Sequence, residues 1–162
     1  MTLNLVILAL VTVQRLAELW LSNRNTARLL ERGAHEVGAA HYPFIVAVHA
    51  SWLAALWWFA PARPIHWFWL AFFLLLQVAR LWVLVSLRGR WTTRIIILPG
   101  EPLVRTGPYR FVDHPNYLIV VGEIAALPLA FGLWPIALLF SGLNAAILAV
   151  RIRAENRALI AL

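Results

Sequence analysis

The sequence contains no cysteine and no lysine, and only 13% of its 162 residues are charged. Without cysteine the protein has no disulfides, no cysteine-ligated metal and no thiol nucleophile. Without lysine, all 14 basic residues are arginine, which indicates a compositional bias of the genome. The low charge accompanies 62% hydrophobic residues, a composition far too apolar for a soluble domain of this length. We therefore expect an integral membrane protein.

Five apolar segments are candidates for membrane-spanning helices, because a span takes roughly 20 apolar residues. They are Leu3–Leu21, Phe44–Ala60, Ile65–Leu87, Tyr117–Phe131 and Trp134–Val150. Only Gly132 and Leu133 separate the last two, so we predict a tight helical hairpin there. The first segment lacks the basic start and the cleavage site of a signal peptide, and we expect it to be retained. The predicted fold class is all-α: a single domain over residues 1–162, built as an integral membrane bundle of about five transmembrane helices.

The net charge of +7 is distributed in a way that favours a membrane over nucleic acid as the partner. Arginines cluster after the first, third and fifth apolar segments, whereas the other connections hold only Arg63. With five spans these clusters fall on one side, and the positive-inside rule makes that side cytoplasmic. We therefore expect an outside N-terminus, a cytoplasmic C-terminus, contacts with membrane lipids and no nucleic-acid partner.

Two connections are long enough to carry structure of their own. Residues Asn23–Pro43 are polar, and we expect a short amphipathic helix on the membrane surface followed by a turn at His41–Pro43. About thirty residues lie between Leu87 and Tyr117 without a spanning pattern. Connections of that length are usually functional or disordered, and the apolar, aromatic and proline content of this one speaks against disorder. We expect it to fold as a cytoplasmic cap over the helix ends.

Polar and ring-bearing residues concentrate in two places beside apolar segments. Residues Gly107–Tyr117 precede the fourth segment, and Arg151 and Glu155 close the fifth. Because Arg151 and Glu155 are four positions apart, they share one face of a helix. We expect the two clusters to form two walls of one site for a polar ligand.

The order of these residues resembles the isoprenylcysteine carboxyl methyltransferase family of membrane methyltransferases. The resemblance rests on Leu103-Val104-x-Thr106-Gly107-Pro108-Tyr109, on His114-Pro115-Asn116-Tyr117 and on Arg151-x-x-x-Glu155 after a helical hairpin. It is strong over about the last seventy residues, and Gly33–Pro43 and Gly89–Gly100 look like small bacterial members linked to polyketide pathways. It implies a helical core in the cytoplasmic membrane of a bacterium. Its cytoplasmic loops would enclose S-adenosylmethionine, and a lipid tail would enter between the helices.

Carried over by position, the resemblance makes Arg151 the catalytic contact to the substrate. The residues that it places around the cofactor are Leu103, Val104, Tyr109, His114, Pro115, Asn116, Tyr117 and Glu155. Two positions depart from the family pattern, since Asp113 replaces the usual Arg and Asn156 replaces a second acid. Arg110 or Arg94 is then the candidate contact to the cofactor carboxylate.

The side-chain chemistry agrees with this assignment. S-adenosylmethionine has an adenine face, ribose hydroxyls, a carboxylate, an ammonium and a sulfonium, so its site needs aromatic rings, an acid and a donor. An acidic enol, phenol or carboxylate acceptor needs no strong base, but it needs a cation, and Arg151 stays charged at any relevant pH. The expected acceptor is lipophilic: an alkylpyrone or alkylresorcinol first, on resemblance, and a prenylcysteine second.

Some residues allow a structural interpretation as well. Glu123, inside the fourth apolar segment, is either a cofactor contact or part of a buried pair with Arg80, Gln77 or Asn144. The nine Trp residues are expected to form an aromatic belt at the lipid headgroups.

The histidines carry less information. The His114-Pro115 pair could merely begin a helix, since proline suits a first helical turn. His41 and His49 are too sparse for a metal site, and we expect no metal.

Two other functions compete with methyl transfer. Membrane sterol reductases share a related His-Pro-Asn-Tyr segment followed by Gly and an acid, as in Gly122-Glu123, but their NADPH would demand more cations near the site. A non-enzymatic helical subunit of a larger assembly would bind no cofactor. Methyl transfer is the favoured interpretation, and the sequence fixes neither the acceptor nor the oligomeric state.

Overall fold

The apolar segments fold into five α-helices within residues 2–160, the part of the chain that the computed structural model describes. The helices are α1 (Thr2–Glu31), α2 (Tyr42–Phe59), α3 (Trp67–Leu87), α4 (Pro115–Ala130) and α5 (Trp134–Ile160). Four of these described helices are long and apolar enough to cross a membrane, and α4, with 16 residues, is shorter. The predicted all-α membrane bundle is confirmed, with α4 as its short member.

The short helix α4 packs between α3 and α5 and buries much of its surface. Pro115 begins it, where the missing amide costs little because first-turn amides have no partner within the helix. After Ala130, Gly132 adopts a φ of +67° and the chain reverses into α5. The amide of Leu133 donates to the carbonyl of Pro128 at 2.9 Å across this turn. The predicted tight hairpin is therefore present.

One hydrophobic core gathers side chains from all five helices, among them Leu8, Trp52, Phe73, Leu127 and Phe140. The indole of Trp52 also donates to the carbonyl of Ile124 at 3.2 Å, which satisfies its one polar group. The outward faces of the helices are apolar too, as Leu10 and Leu75 illustrate. Helices that are apolar on all sides are typical of a membrane interior.

The first helix continues to Glu31 without interruption, so the prediction of a separate surface helix in the following polar connection is wrong. Its last turns are held by the connection between α3 and α4. Asn25 Nδ2 donates to the Trp91 carbonyl at 2.8 Å, and the Ser22 hydroxyl accepts from the Thr93 amide at 2.8 Å. Tertiary partners for these polar side chains allow the helix to extend past the predicted membrane boundary.

The long connection between α3 and α4 folds over the helix ends, as predicted. Strand β2 (Ile95–Ile97) pairs antiparallel with β1 (His35–Val37), and short 3-10 turns lie at Arg88–Arg90 and Gly107–Arg110. We refer to residues 88–114 together with β1 as the cap. Because β1 follows α1, the pairing ties the cap to the first helix as well as to α3 and α4.

Four charged side chains form a buried network inside the bundle. Arg80 donates to both carboxylate oxygens of Glu18 at 2.6 Å and to Glu123 at 2.9 Å. Arg15 donates to the same oxygen of Glu123 at 2.8 Å, and Gln77 donates to its other oxygen at 2.8 Å. Glu123 is only 1% exposed. Of the two sequence-based interpretations of Glu123, the buried pair with Arg80 and Gln77 is the one found.

Candidate functional site

A cavity of about 460 Å³ lies between the cap and the cap-side ends of α4 and α5. We call it the cap cavity. Its lining includes eight of the residues singled out from the sequence: Leu103, Val104, Tyr109, His114, Asn116, Tyr117, Arg151 and Glu155. Pro115 instead is buried as the first residue of α4, where it shapes the backbone. The fold therefore brings the two polar clusters together in one concave surface, with members of both clusters on the same wall.

The wall formed by α4 and α5 carries a continuous chain of polar groups. Arg151 Nε donates to the hydroxyl of Tyr117 at 2.8 Å, and this hydroxyl donates to a carboxylate oxygen of Glu155. His114 Nδ1 lies 3.8 Å from the same oxygen, and the His114 ring stacks on Tyr117 with centroids 5.2 Å apart. Helical spacing places Arg151 and Glu155 on one face of α5, and His114 is the residue directly before the first turn of α4, which carries Tyr117.

Tyr109 forms part of the opposite wall, in the 3-10 turn Gly107–Arg110. Burial raises the pKa of its phenol to about 12, and the negative charge of Glu155 contributes to the shift. Tyr109 therefore remains a neutral hydroxyl, able to donate a hydrogen bond, throughout the physiological pH range.

Cations line the cap cavity on the cap side. They are Arg90, Arg94 and Arg105. Arg94 shares its charge with Glu36, whose two oxygens lie 2.9 Å from its Nη1. Of the two candidates for a carboxylate contact, Arg94 reaches the cavity, whereas Arg110 is exposed and packs against the ring of Phe111. Arg90 and Arg105 were not singled out from the sequence.

A second cavity of about 280 Å³ lies deeper, among α1, α2, α4 and α5. We call it the membrane cavity. Most of its lining surface is apolar, and Arg15, Glu18 and Arg80 of the buried network line one part of it. Leu16 of α1 and Val46 of α2 line it while also being exposed on the outer surface. The membrane cavity therefore opens sideways between α1 and α2, at the level where lipid surrounds the bundle.

The two cavities share four lining residues: Trp91, Asn116, Tyr117 and Arg151. Arg151 is 9% exposed, so its guanidinium is a buried cation at the point where a polar and an apolar space meet. A molecule in each cavity would place its reacting end beside this side chain. Such an arrangement suits a transfer between a water-soluble and a lipid-soluble reactant.

Trp91 and Asn116 also carry unused hydrogen-bonding groups at this junction. Within the described residues, neither the Trp91 indole N–H nor the Asn116 Oδ1 has a hydrogen-bond partner, although both atoms are buried. Buried polar atoms without partners are rare and need an explanation. At the junction of two cavities the explanation we favour is a ligand.

The sequence predicts an aromatic-belt position for all nine Trp residues, and for Trp91 this prediction is wrong because its side chain is 2% exposed inside the cap. One feature of the sequence does distinguish Trp91 from the other Trp residues. Trp91 alone among the nine Trp residues lies outside the five apolar segments, in a connection where no belt is expected.

Comparison with known proteins gives a family. The model of the isoprenylcysteine carboxyl methyltransferase (ICMT) family matches residues 69–161. The chain is 39% identical over 166 residues to "Uncharacterized protein YpbQ" of Bacillus subtilis, with 94% of each chain covered. It is 34% identical over 79 residues to an "Uncharacterized protein" of Haemophilus influenzae, covering 48% of this chain and 46% of that one. No solved structure matches the chain at a significant level.

The matched region begins in α3 and contains the whole polar chain from His114 to Glu155. The similarity to the Bacillus protein extends over nearly all of the sequence, including α1 and α2. The resemblance noted in the sequence is thereby confirmed, and the chain belongs to the isoprenylcysteine carboxyl methyltransferase family, a family of membrane methyltransferases.

Proposed function

We propose that the protein transfers a methyl group from S-adenosylmethionine to an acidic oxygen of a lipophilic acceptor. The observation that carries this proposal is the meeting of a polar and an apolar cavity at Arg151 and Tyr117. The polar cavity would take the cofactor, and the apolar one would take the acceptor. The cluster of arginines on the cap side supports a cytoplasmic location for the cap, where the cofactor is available.

The lining of the cap cavity fits S-adenosylmethionine in size and chemistry. A volume of about 460 Å³ lies in the ordinary range for ligand pockets. Glu155 supplies an acid for the ammonium, Arg90 or Arg105 a cation for the carboxylate, and Tyr109 an aromatic surface for the adenine. The unpartnered Asn116 Oδ1 offers a further acceptor for a hydroxyl or an amine. When bound, the cofactor supplies an electrophilic methyl group on its sulfonium.

Arg151 is the group we assign to the acceptor oxygen. A buried guanidinium favours the anionic form of a nearby enol or phenol and so lowers its pKa, which removes the need for a dedicated base. The hydrogen bond to Tyr117 fixes the orientation of the guanidinium, and its remaining N–H groups can face the acceptor. Trp91, with its free indole N–H at the same junction, is a second donor for that oxygen.

The remaining contribution of the protein is to orient the reactants and exclude water. Holding two partners in reactive geometry provides up to about 7–11 kcal/mol of the barrier reduction in favourable cases. The membrane cavity is too small for a long alkyl chain, so the tail would extend through the opening between α1 and α2 into the bilayer. Only the head of the acceptor then needs to reach Arg151.

A ligand-binding experiment tests this function directly. Purified protein should be thermally stabilised by S-adenosylhomocysteine and not by NADPH, because a ligand that binds the native state raises its apparent stability. His114→Ala and Glu155→Ala should each weaken cofactor binding at least roughly tenfold by calorimetry, the loss expected for one charged hydrogen bond. Glu31→Ala, an exposed acid at the end of α1, is the control.

The outcomes separate the competing functions. Stabilisation by NADPH alone would replace methyl transfer with reduction, and stabilisation by neither ligand would favour a non-enzymatic subunit. Unchanged affinity in both variants would remove His114 and Glu155 from the cofactor site.

A further inference from the structure

A third concavity lies outside both cavities, on the flank of the molecule. It is an open groove between the end of α1, the end of α3 and the cap segment Pro102–Gly107. We call it the basic groove, because its lining includes five arginines: Arg28, Arg32, Arg88, Arg90 and Arg105. Five cations from three separate elements thus converge on one surface.

Little negative charge offsets these arginines. Glu101 forms an ion pair with Arg32 and lies 3.6 Å from Arg90. In the described part of the chain, Arg28 and Arg88 form no ion pair with a carboxylate. The groove therefore holds a net positive charge that a phosphate would neutralise with charge-assisted hydrogen bonds.

The lower part of the groove is apolar and exposed. Trp82 and Val85 of α3 line it and are 50% and 70% exposed. The exposed face of α3 continues with Leu81 and Val78, which point away from the core in the same way. A ligand in the groove would meet cations at the cap and a hydrophobic strip towards the membrane centre. That combination fits an amphiphile with an anionic head, and a water-soluble anion or an acidic protein would leave the strip uncovered.

The groove and the cap cavity have a common wall. Both are lined by Leu29, Leu87, Arg90, Leu103, Val104 and Arg105. Two residues beyond the Leu103–Arg105 part of this wall, Gly107 has a φ of +59°, and a Cβ there would overlap the hydroxyl of Ser86. The cap backbone therefore lies directly on α3 at this point, beside the groove.

We propose that the basic groove binds an anionic phospholipid, with its phosphate on Arg28 and Arg88 and its acyl chains along the exposed face of α3. Basic pockets at the cytoplasmic ends of membrane helices recognise anionic headgroups in this way. A lipid in the groove packs against the outer side of the Leu103–Arg105 wall. It thereby restricts the movement of a segment that lines the cofactor site on its inner side.

The experiment compares two double variants that remove equal charge from the same end of the molecule. R28Q/R88Q changes groove residues that do not line the cap cavity, and R24Q/R153Q changes exposed arginines outside the groove. Each protein is placed in nanodiscs containing phosphatidylcholine and phosphatidylglycerol, and the retained lipids are counted by native mass spectrometry. Circular dichroism and thermal unfolding establish that both variants are folded.

Wild type and R24Q/R153Q should retain phosphatidylglycerol preferentially, and R28Q/R88Q should lose this preference roughly tenfold or more, because each arginine near an anionic lipid contributes measurably. Equal losses in both variants would mean non-specific attraction to charge and would overturn the site. Displacement of the lipid by inorganic phosphate would mean that the acyl chains do not bind the groove, and would overturn the assignment to a phospholipid. If R28Q/R88Q does not fold, R88Q alone is tested by the same criteria.

A second measurement tests the link to the cap cavity. Affinity for S-adenosylhomocysteine should fall severalfold when phosphatidylglycerol is omitted from wild-type nanodiscs, and it should not respond in R28Q/R88Q. If the affinity of wild type for S-adenosylhomocysteine does not change, the proposed effect of the lipid on the Leu103–Arg105 segment is contradicted. Because lipid retention is measured without any cofactor, failure of the proposed methyl transfer would leave the lipid result intact.

Discussion

Arg151 of α5 donates a hydrogen bond from its Nε to the hydroxyl oxygen of Tyr117 of α4 across 2.8 Å. The same hydroxyl donates to Glu155, so Tyr117 connects the residue assigned to the acceptor with a residue assigned to the cofactor. Neither α4 nor α5 alone fixes the position of the guanidinium. The proposed catalytic arrangement therefore depends on the packing of the two helices.

Replacing Tyr117 by Phe should lower turnover by about tenfold to a hundredfold, because hydrogen bonds to charged groups contribute about 1.5–3 kcal/mol. The ring would still stack on His114, so the change removes the hydroxyl with little loss of packing. Turnover is measured with saturating cofactor, and thermal unfolding checks the fold. Normal turnover in this variant would show that Arg151 is positioned by other contacts.

Replacing Arg151 by Lys should strongly reduce turnover while leaving cofactor affinity nearly intact. Lysine keeps the positive charge but loses the planar set of N–H donors that can bind Tyr117 and the acceptor oxygen together. Arg153→Lys is the matched control, since Arg153 is exposed two residues along the same helix. Full activity of the Arg151 variant would reduce Arg151 to a membrane anchor.

The acceptor should be an alkylpyrone or alkylresorcinol ahead of a prenylated cysteine. Both classes fit an apolar cavity with a cation at its end, and the preference rests on the sequence-based expectation that Arg90–Gly100 and Leu143–Glu155 resemble bacterial polyketide-linked members. Purified protein is offered an alkylpyrone and a farnesylated cysteine with labelled cofactor. Methyl ester formed on the cysteine derivative, with no product from the pyrone, would reverse the choice and leave methyl transfer standing.

Replacing Glu123 by Ala should destabilise the protein by about 3–5 kcal/mol, because breaking a buried ion pair leaves an uncompensated charge. Arg15 and Arg80 would both lose a partner, and Gln77 would lose its acceptor. Glu31→Ala, on an exposed position of α1, should change the free energy of unfolding by no more than about 0.5 kcal/mol. Unfolding in detergent, followed by circular dichroism, gives both values. If Glu123→Ala and wild type have equal free energies of unfolding, the charged network is hydrated rather than buried.

The phenol of Tyr109 should make stability fall at high pH. Its pKa is raised from about 10 to about 12 in the folded protein, so folding favours the neutral form. The free energy of folding that depends on the neutral phenol is fully present below about pH 10 and is lost as the pH rises from about 10 to about 12. Tyr109→Phe cannot ionise, so the stability of wild type relative to this variant should decline across that window. A constant difference would show that the phenol is solvated.

Much of the helical core could be predicted because hydrophobicity alone selects spanning segments, and the hairpin follows from Gly132 between two of them. The polar wall could be predicted because helical spacing places Arg151 and Glu155 on one face. The extension of α1 could not, since the partners of Asn25 and Ser22 are distant in sequence and lie in the cap.

The arginines that line the cap side of the cap cavity also could not be predicted from the sequence. Arg90, Arg94 and Arg105 reach it through the course of an irregular connection, which has no periodicity to indicate which side chains face inward. The same holds for Trp91, whose side chain is buried against Val83 of α3 and Ile119 of α4. Packing between segments that are distant in sequence decides where these side chains lie, and the local sequence pattern does not predict that packing.

The shortness of α4 sets the depth at which the reaction would take place. Its 16 residues rise about 24 Å at about 1.5 Å each, against a hydrocarbon thickness of about 30 Å. If the hairpin turn lies at the far boundary of the bilayer, His114 and Tyr117 stand roughly 6 Å below the near boundary, beneath the plane of the headgroups. A lipid acceptor would then stay at its natural level in the membrane. The soluble reactant would instead have to enter below the headgroup plane, and the cap would line the polar cavity through which it reaches that depth.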